Sequence, residues 1–143
     1  MTPTQALGES IVTEYVEIGQ ERIDSFADVT EDRQWIHTDV ARAEMESPFK
    51  DTVAHGFLVL ALLPRLLSRH LDDGASRFRV NYGFNRVRFL SPVRRRSKVR
   101  ACARVLNCTP IRNGVERIWE VVLECEKAKI PACVAEWIVR YYY

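Results

Sequence analysis

Two hydrophobic periods divide this chain, and they meet at Gly74. C-terminal to it, apolar and polar residues alternate. Phe78, Val80 and Tyr82 interleave with Arg77, Arg79 and Asn81, and Val87 and Phe89 with Arg86 and Arg88. Gly83 interrupts that run and predicts a bulge; Ser91-Pro92 ends it. Val99, Ala101, Ala103 and Val105 alternate with Lys98, Arg100, Cys102 and Arg104. Trp119, Val121, Leu123 and Cys125 oppose Glu120, Glu124 and Glu126, behind an Asn113-Gly114 pair that signals a hairpin turn. Pro131 opens a last run in which Cys133, Ala135, Trp137 and Val139 alternate with Glu136 and Arg140. A period of two over such lengths marks strands with one buried face.

Before Gly74 the pattern is mostly helical. An alternating segment over 11–18, with Val12, Val16 and Ile18 on one side, predicts a first strand. Ile23, Phe26 and Ala27 recur at helical spacing, so residues 20–29 form an amphipathic helix, and 30–38 are irregular. Asp39 caps a small helix from Val40 to Met45, which Ser47-Pro48 ends because the residue before proline leaves the helical region. From Phe57 to Leu63 there is no polar side chain. A helix apolar all round is a buried one, and this run is far shorter than the ~20 residues that cross a bilayer. Residues 57–67 therefore predict a long helix wrapped on several sides by the rest of the fold. Pro64 predicts a kink near Leu60, Arg65, Arg69 and His70 suit its C-terminal end, and Asp72-Asp73-Gly74 stops it.

The order is strand, short helices, one buried helix, then three or four antiparallel strands. One sheet curled around one central helix satisfies both the all-apolar helix and the one-sided strands. That is an α+β hot-dog architecture, with residues 1–143 as a single domain, a length sufficient for one core without staples.

Charge sharpens the picture. Residues 1–73 carry 14 acidic and 6 basic side chains, residues 74–115 carry 11 basic and no acidic ones, and residues 116–143 carry 5 acidic and 4 basic. A basic middle segment suits an anionic partner, or is a solvated Arg-rich strand face. Cys102, Cys108, Cys125 and Cys133 show neither a Cys-x-x-Cys pair nor zinc spacing, and Met1 to Gln5 has no signal-peptide pattern. The expectation is a cytoplasmic protein with reduced cysteines.

The candidate chemistry lies in the irregular segment. Asp32 and His37 are five apart, a poor facing distance on a helix but one that lets both side chains converge from a loop. A carboxylate and an imidazole sharing a water can activate it and return a proton. Gly56, beside His55, offers a backbone N–H at the start of the buried helix, which can stabilise charge on a carbonyl oxygen. Together these suit the addition of water to, or its removal from, a thioester enol system. Asp32 as a turn residue and His37 as a satisfied loop histidine are the bland alternatives. His37, Asp39 and His55 are all metal-ligand types, without a recognised metal spacing.

The stretch Phe26-Ala27-Asp28-Val29-Thr30-Glu31-Asp32-Arg33-Gln34-Trp35-Ile36-His37-Thr38-Asp39, followed by Ser47-Pro48-Phe49 and Ala54-His55-Gly56-Phe57, resembles the MaoC-like, (R)-specific enoyl-CoA hydratase family. Asn81 to Phe89 and Ser91-Pro92-Val93 look like its nodulation protein N subgroup. The resemblance implies a dyad of Asp32 and His37 holding the water, and a Gly56 N–H polarising the thioester carbonyl. It also implies a homodimer with an acyl-thioester tunnel near the subunit interface. Gln34 and Trp35 stand where the family motif commonly has Asn and Pro, which leaves the acyl pocket open.

The resulting expectation is hydration of trans-2-enoyl thioesters of coenzyme A or acyl carrier protein, or the reverse dehydration, with no cofactor and no metal. His55, Asn85 and Arg88 are candidates for lining the substrate site, and Arg94-Arg95-Arg96 with Lys98 for meeting carrier phosphates. A hot-dog thioesterase, a non-catalytic acyl-CoA-binding module and a nucleic-acid binder are the alternatives. Nucleic acid ranks last because the arginines lack aromatic stacking neighbours, and no membrane association is expected.

Overall fold

The computed structural model describes residues 7–143, so the reading of Met1 to Gln5 lies outside the described residues. Six strands form one sheet: β1 (Ile11–Val12), β2 (Val16–Ile18), β3 (Phe78–Phe89), β4 (Ser97–Ile111), β5 (Gly114–Cys125) and β6 (Cys133–Tyr142). The order is β1-β4-β5-β6-β3, β2 also pairs with β4, and every pairing is antiparallel. Six helices precede β3: α1 (Gln20–Thr30), α2 (Trp35–Thr38), α3 (Val40–Glu46), α4 (Gly56–Ala61), α5 (Leu63–Leu66) and α6 (Ser68–Leu71). This is the expected hot-dog arrangement.

The first strand comes in two pieces, for a physical reason. Ile11 pairs with Ala103, but Val16 pairs with Val99, so the segment between them holds one residue more than β4 does. One extra residue flips the side-chain parity. Ile11 and Ile18 are both buried, while Val12, expected on the buried side, is exposed. Thr13 occupies the break; its N–H donates to the Ala101 carbonyl and its Oγ accepts from the Ala101 N–H.

The central helix is segmented rather than kinked at Leu60. Pro64 has no N–H for the Leu60 carbonyl. The chain tightens at Leu62, whose N–H donates to Val59 at 3.3 Å, then resumes as α5 and α6. Leu58, Val59, Leu62, Leu63, Leu66, Leu67 and Leu71 pack into one core cluster with Val99, Ala101, Val105, Trp119, Val121 and Leu123. Each fully buried Leu contributes about 1.5–3 kcal/mol. The wrapping is incomplete: Phe57 is 70% exposed, and Ala61 and Pro64 are exposed too. As expected, Asp39 caps α3, accepting from the Arg42 N–H at 3.0 Å.

Along β4, β5 and β6 the alternation is realised: Val99, Ala101, Ala103, Val105, Trp119, Val121, Leu123, Cys133, Ala135, Trp137 and Val139 are all buried. In β3 it is not. Phe78, Val80, Tyr82, Phe84 and Phe89 are exposed, on a strand that lies at one end of the sheet. Its register slips twice, leaving Tyr82 and Asn85 as extra residues, the first beside the predicted Gly83.

Candidate active site

Helix α1 ends at Glu31, whose left-handed backbone (φ 61°) turns the chain out of the helix. Asp32 to Gln34 are non-helical, and one helical turn, α2, then carries His37. This turn falls within the segment expected to be irregular. Trp35 is its first residue, the position where the related pattern commonly has proline. The N–H there has no intrahelical acceptor, so proline and tryptophan fit equally. Arg42 lies 4.2 Å over the Trp35 ring and ties α2 to α3.

His37 is 7% exposed, and its Nδ1–H donates to the Val53 carbonyl at 2.6 Å. That leaves Nε2 with a free lone pair. Burial pushes the His37 pKa below its ordinary 6.5; the Val53 bond and Asp32 oppose the shift, and His55 adds to it. The imidazole is therefore neutral at neutral pH. The Val53 carbonyl is placed by its own strand-like contacts: Val53 N–H donates to Ile36 and Ala54 N–H to Val93.

His55 is 2% exposed. Its Nε2–H donates to the Asp32 main-chain carbonyl at 2.9 Å. Its ring stacks on His37 with centroids 3.8 Å apart and planes 23° apart, and meets Phe26 of α1 at 4.9 Å. One ligand-type atom from each of Asp32, His37 and His55 lies within 4.8 Å of the others. A carboxylate and an imidazole at that separation can share one water.

The same three residues are a carboxylate and two imidazoles, so metal binding has to be weighed on geometry. Lone pairs lie in the ring planes, and two stacked rings in nearly parallel planes do not converge on one ion at the ~2.0–2.1 Å a His–zinc bond needs. Each ring also has one nitrogen committed to a carbonyl. The donor set does not fit a shared metal. Asp39, the third candidate ligand, is engaged as the α3 cap.

Gly56 opens α4, and its N–H makes no hydrogen bond among the described residues. It lines an open cavity of about 270 Å³ with Phe49, Ala54, Phe89, Leu90 and Ala132. A Cβ on residue 56 would lie 3.1 Å from the Phe89 ring, so glycine permits that close approach. Asp32, His37 and His55 do not line this cavity.

The remaining candidates lie apart from this cluster. Asn85 is the exposed extra residue of a β3 bulge, and Arg88 is exposed with Nη1 donating to the Val87 carbonyl. Neither bonds to Asp32 or His37 among the described residues. Arg95 is held between Asp51 (2.6 Å) and Glu44 (2.9 Å), so within the basic run Arg94, Arg96 and Lys98 are the exposed cations.

Pattern reading missed a supporting set. Gln20 Nε2 donates to the His37 carbonyl at 2.7 Å, and fully buried Thr52 donates its hydroxyl to Gln20 Oε1. Arg95 N–H donates to the Thr52 carbonyl at 3.1 Å. These contacts join residues 17, 32 and 43 positions apart, a relation no local period carries.

The MaoC like domain matches residues 3–124 of this chain. The chain is 44% identical over 138 residues to 3-hydroxyacyl-thioester dehydratase Z of Mycobacterium tuberculosis (strain CDC 1551 / Oshkosh), covering 95% of this chain and 91% of that protein. It is 42% identical over 140 residues to nodulation protein N of Rhizobium meliloti (strain 1021), covering 94% and 83%. The (R)-hydratase from A. caviae involved in PHA biosynthesis superposes with a TM-score of 0.76 at 20% identity, over 95% of this chain and 96% of that one, and shares the fold.

Proposed function

Because this chain belongs to the MaoC-like domain family, we propose that it is a hydro-lyase adding water to a trans-2-enoyl thioester, or removing it from the 3-hydroxyacyl thioester. The observation that carries this reading is the convergence of the Asp32 carboxylate and the neutral His37 ring within 4.8 Å, with His55, the residue before Gly56, stacked on His37. In hydration a water held by the two side chains gives up a proton to them, and its oxygen bonds to C3. The C2–C3 π pair moves onto the thioester oxygen, whose charge the Gly56 N–H stabilises. A proton returned from the dyad then bonds to C2, so one water is consumed and no net proton is exchanged. The likeness to the (R)-hydratases supports the (R) configuration. No metal or organic cofactor enters the reading.

The carrier is a coenzyme A or acyl carrier protein thioester. A groove lined by Arg94, Lys127 and Lys129 adjoins the Gly56 cavity through their shared residues Ser91 and Pro92, which suits a phosphate-bearing carrier outside and its thioester inside. The working unit is a homodimer. The exposed apolar residues of β3 and the open face of the central helix at Phe57 support this, since an uncovered apolar strand edge invites pairing. Asn85 and Arg88 lie on that same strand, where they line or brace the paired site. No helix among the described residues is long and apolar enough to cross a membrane, and the four free cysteines support a cytoplasmic location.

The test is hydration of enoyl-CoA substrates across chain lengths by wild type, Asp32→Asn and His37→Ala. General acid–base groups contribute about 10²–10⁴-fold. Each variant is expected to lose activity by that order, Asp32→Asn with unchanged melting and His37→Ala with melting lowered by the lost Val53 bond and the space left in the core. Near wild-type turnover in both variants refutes the reading, and release of free thiol instead of hydration assigns a thioesterase.

A further inference from the structure

We infer that His55 is a positioning residue that locks Asp32 and His37 into one geometry, and not a residue that lines the substrate. The inference rests on the dyad reading above.

Three observations point the same way. His55 Nε2–H donates to the Asp32 main-chain carbonyl at 2.9 Å, so it fixes the backbone of the segment that presents the carboxylate. Its ring stacks on His37 at 3.8 Å, so it also limits the tilt of the second dyad member. It is 2% exposed, with Nε2 bonded to the Asp32 carbonyl and Nδ1 buried, so neither ring nitrogen is presented outward. One side chain thus contacts both members of the pair from the chain position just before Gly56. The dyad and the oxyanion donor are referenced to each other through a single residue.

The energetics of the site favour a functional over a packing role. With Nε2 committed to a carbonyl, Nδ1 carries a lone pair, and this buried atom has no hydrogen-bond partner. An unsatisfied buried acceptor is destabilising. An aliphatic side chain of similar volume would pack against Phe26 and His37 without that cost. The unpartnered Nδ1 is a local cost that an aliphatic side chain would not carry, as expected where a residue serves the site. The groups facing His37 are Asp32 and His55, and α1 contributes only the uncharged Phe26 to the stack. When protonated, His55 also lowers the His37 pKa through its charge.

The test compares His55→Leu with His55→Gln. Leucine fills the space but donates nothing; glutamine has an amide N–H that can reach the Asp32 carbonyl. Misplacement by about an ångström can cost 10²-fold in rate. The leucine variant is expected to lose 10- to 100-fold in kcat by that principle, with KM within about twofold and melting unchanged or raised. The glutamine variant is expected to recover most of kcat. The His37 ring titration, followed by NMR in both variants, should move upward from wild type, a readout independent of turnover. Unchanged kcat in His55→Leu overturns the inference. So does equal loss in both variants, a rise in KM at constant kcat, or an unmoved His37 titration. If Asp32→Asn and His37→Ala retain activity, the dyad reading fails instead, and that result is separate from these.

Discussion

Asp73 offers a sharp stability prediction, because its surroundings are fully specified. The turn Asp72-Asp73-Gly74 ends the central helix and starts the path to β3. The Asp73 side chain is 4% exposed. Oδ1 accepts from the backbone N–H of Ser76 (2.8 Å) and Ala75 (3.2 Å), Oδ2 accepts from the Tyr143 hydroxyl (2.8 Å), and Arg117 Nη2 lies 3.9 Å away. One carboxylate therefore ties the end of the helix to β5 and to the C-terminal residue. Burial raises its pKa, but the hydrogen bonds, led by that from the Ser76 N–H, outweigh burial and hold it at about 2 against an ordinary 3.8. The difference corresponds to about 2 kcal/mol of stability at pH 7. Because the folded pKa is depressed, this stability is present above pH 3.8 and is lost as pH falls towards 2. Asp73→Asn should therefore cost about 2 kcal/mol at pH 7, or ~5–8 °C in Tm for a chain of this size. About half of the deficit should remain at pH 3. Urea denaturation of both proteins at the two pH values measures it. A deficit below about 0.5 kcal/mol, or one identical at pH 3 and pH 7, refutes the reasoning.

Gly56→Ala should lower kcat while changing Tm by no more than a few degrees, because the new methyl meets the half-exposed Phe89 ring at 3.1 Å and that ring has room to yield; kinetics and melting on the same sample decide it. The acid limb of kcat/KM should lie below pH 6.5, since burial lowers the His37 pKa and protonation removes the Nε2 lone pair; a limb above that value contradicts the neutral-imidazole assignment. Val80→Asp should shift sedimentation from dimer to monomer and reduce activity with it, because Val80 sits in the exposed apolar row of β3.

Much of the fold could be read from the chain because the three inner strands obey a period of two and the helix an unbroken apolar run. The departures have local causes. The first strand broke because one extra residue between Ile11 and Ile18 changes parity, which a window of alternating residues does not register. The helix broke at Leu62 and not Leu60, since the chain repaired the missing Pro64 donor by tightening the turn ahead of it. Asp32, His37 and Gly56, the residues of the proposed site, stand out in the chain by residue type and spacing. The roles of Gln20, Thr52 and Arg95 do not, because each acts through hydrogen bonds to main-chain carbonyls or distant side chains.

Strand β3 carries the remaining lesson, and it bears on where the chemistry takes place. Its alternation of Phe78, Val80 and Tyr82 with Arg79 and Asn81 has the same quality as that of β6, yet β6 is buried and β3 is exposed. Periodicity reports only that one face of a strand is to be covered; it carries no information about which chain covers it. In this fold the uncovered strand ends next to the Gly56 cavity, where Phe89 touches both Gly56 and Phe57. In the proposed dimer, covering β3 with a second copy would also narrow the mouth of the Gly56 cavity, which Phe89 lines. Excluding water there strengthens every electrostatic contact the Gly56 N–H makes with a developing oxyanion. In the proposed dimer the apolar row of β3 would wall the Gly56 cavity, so dimerisation and catalysis should be lost together.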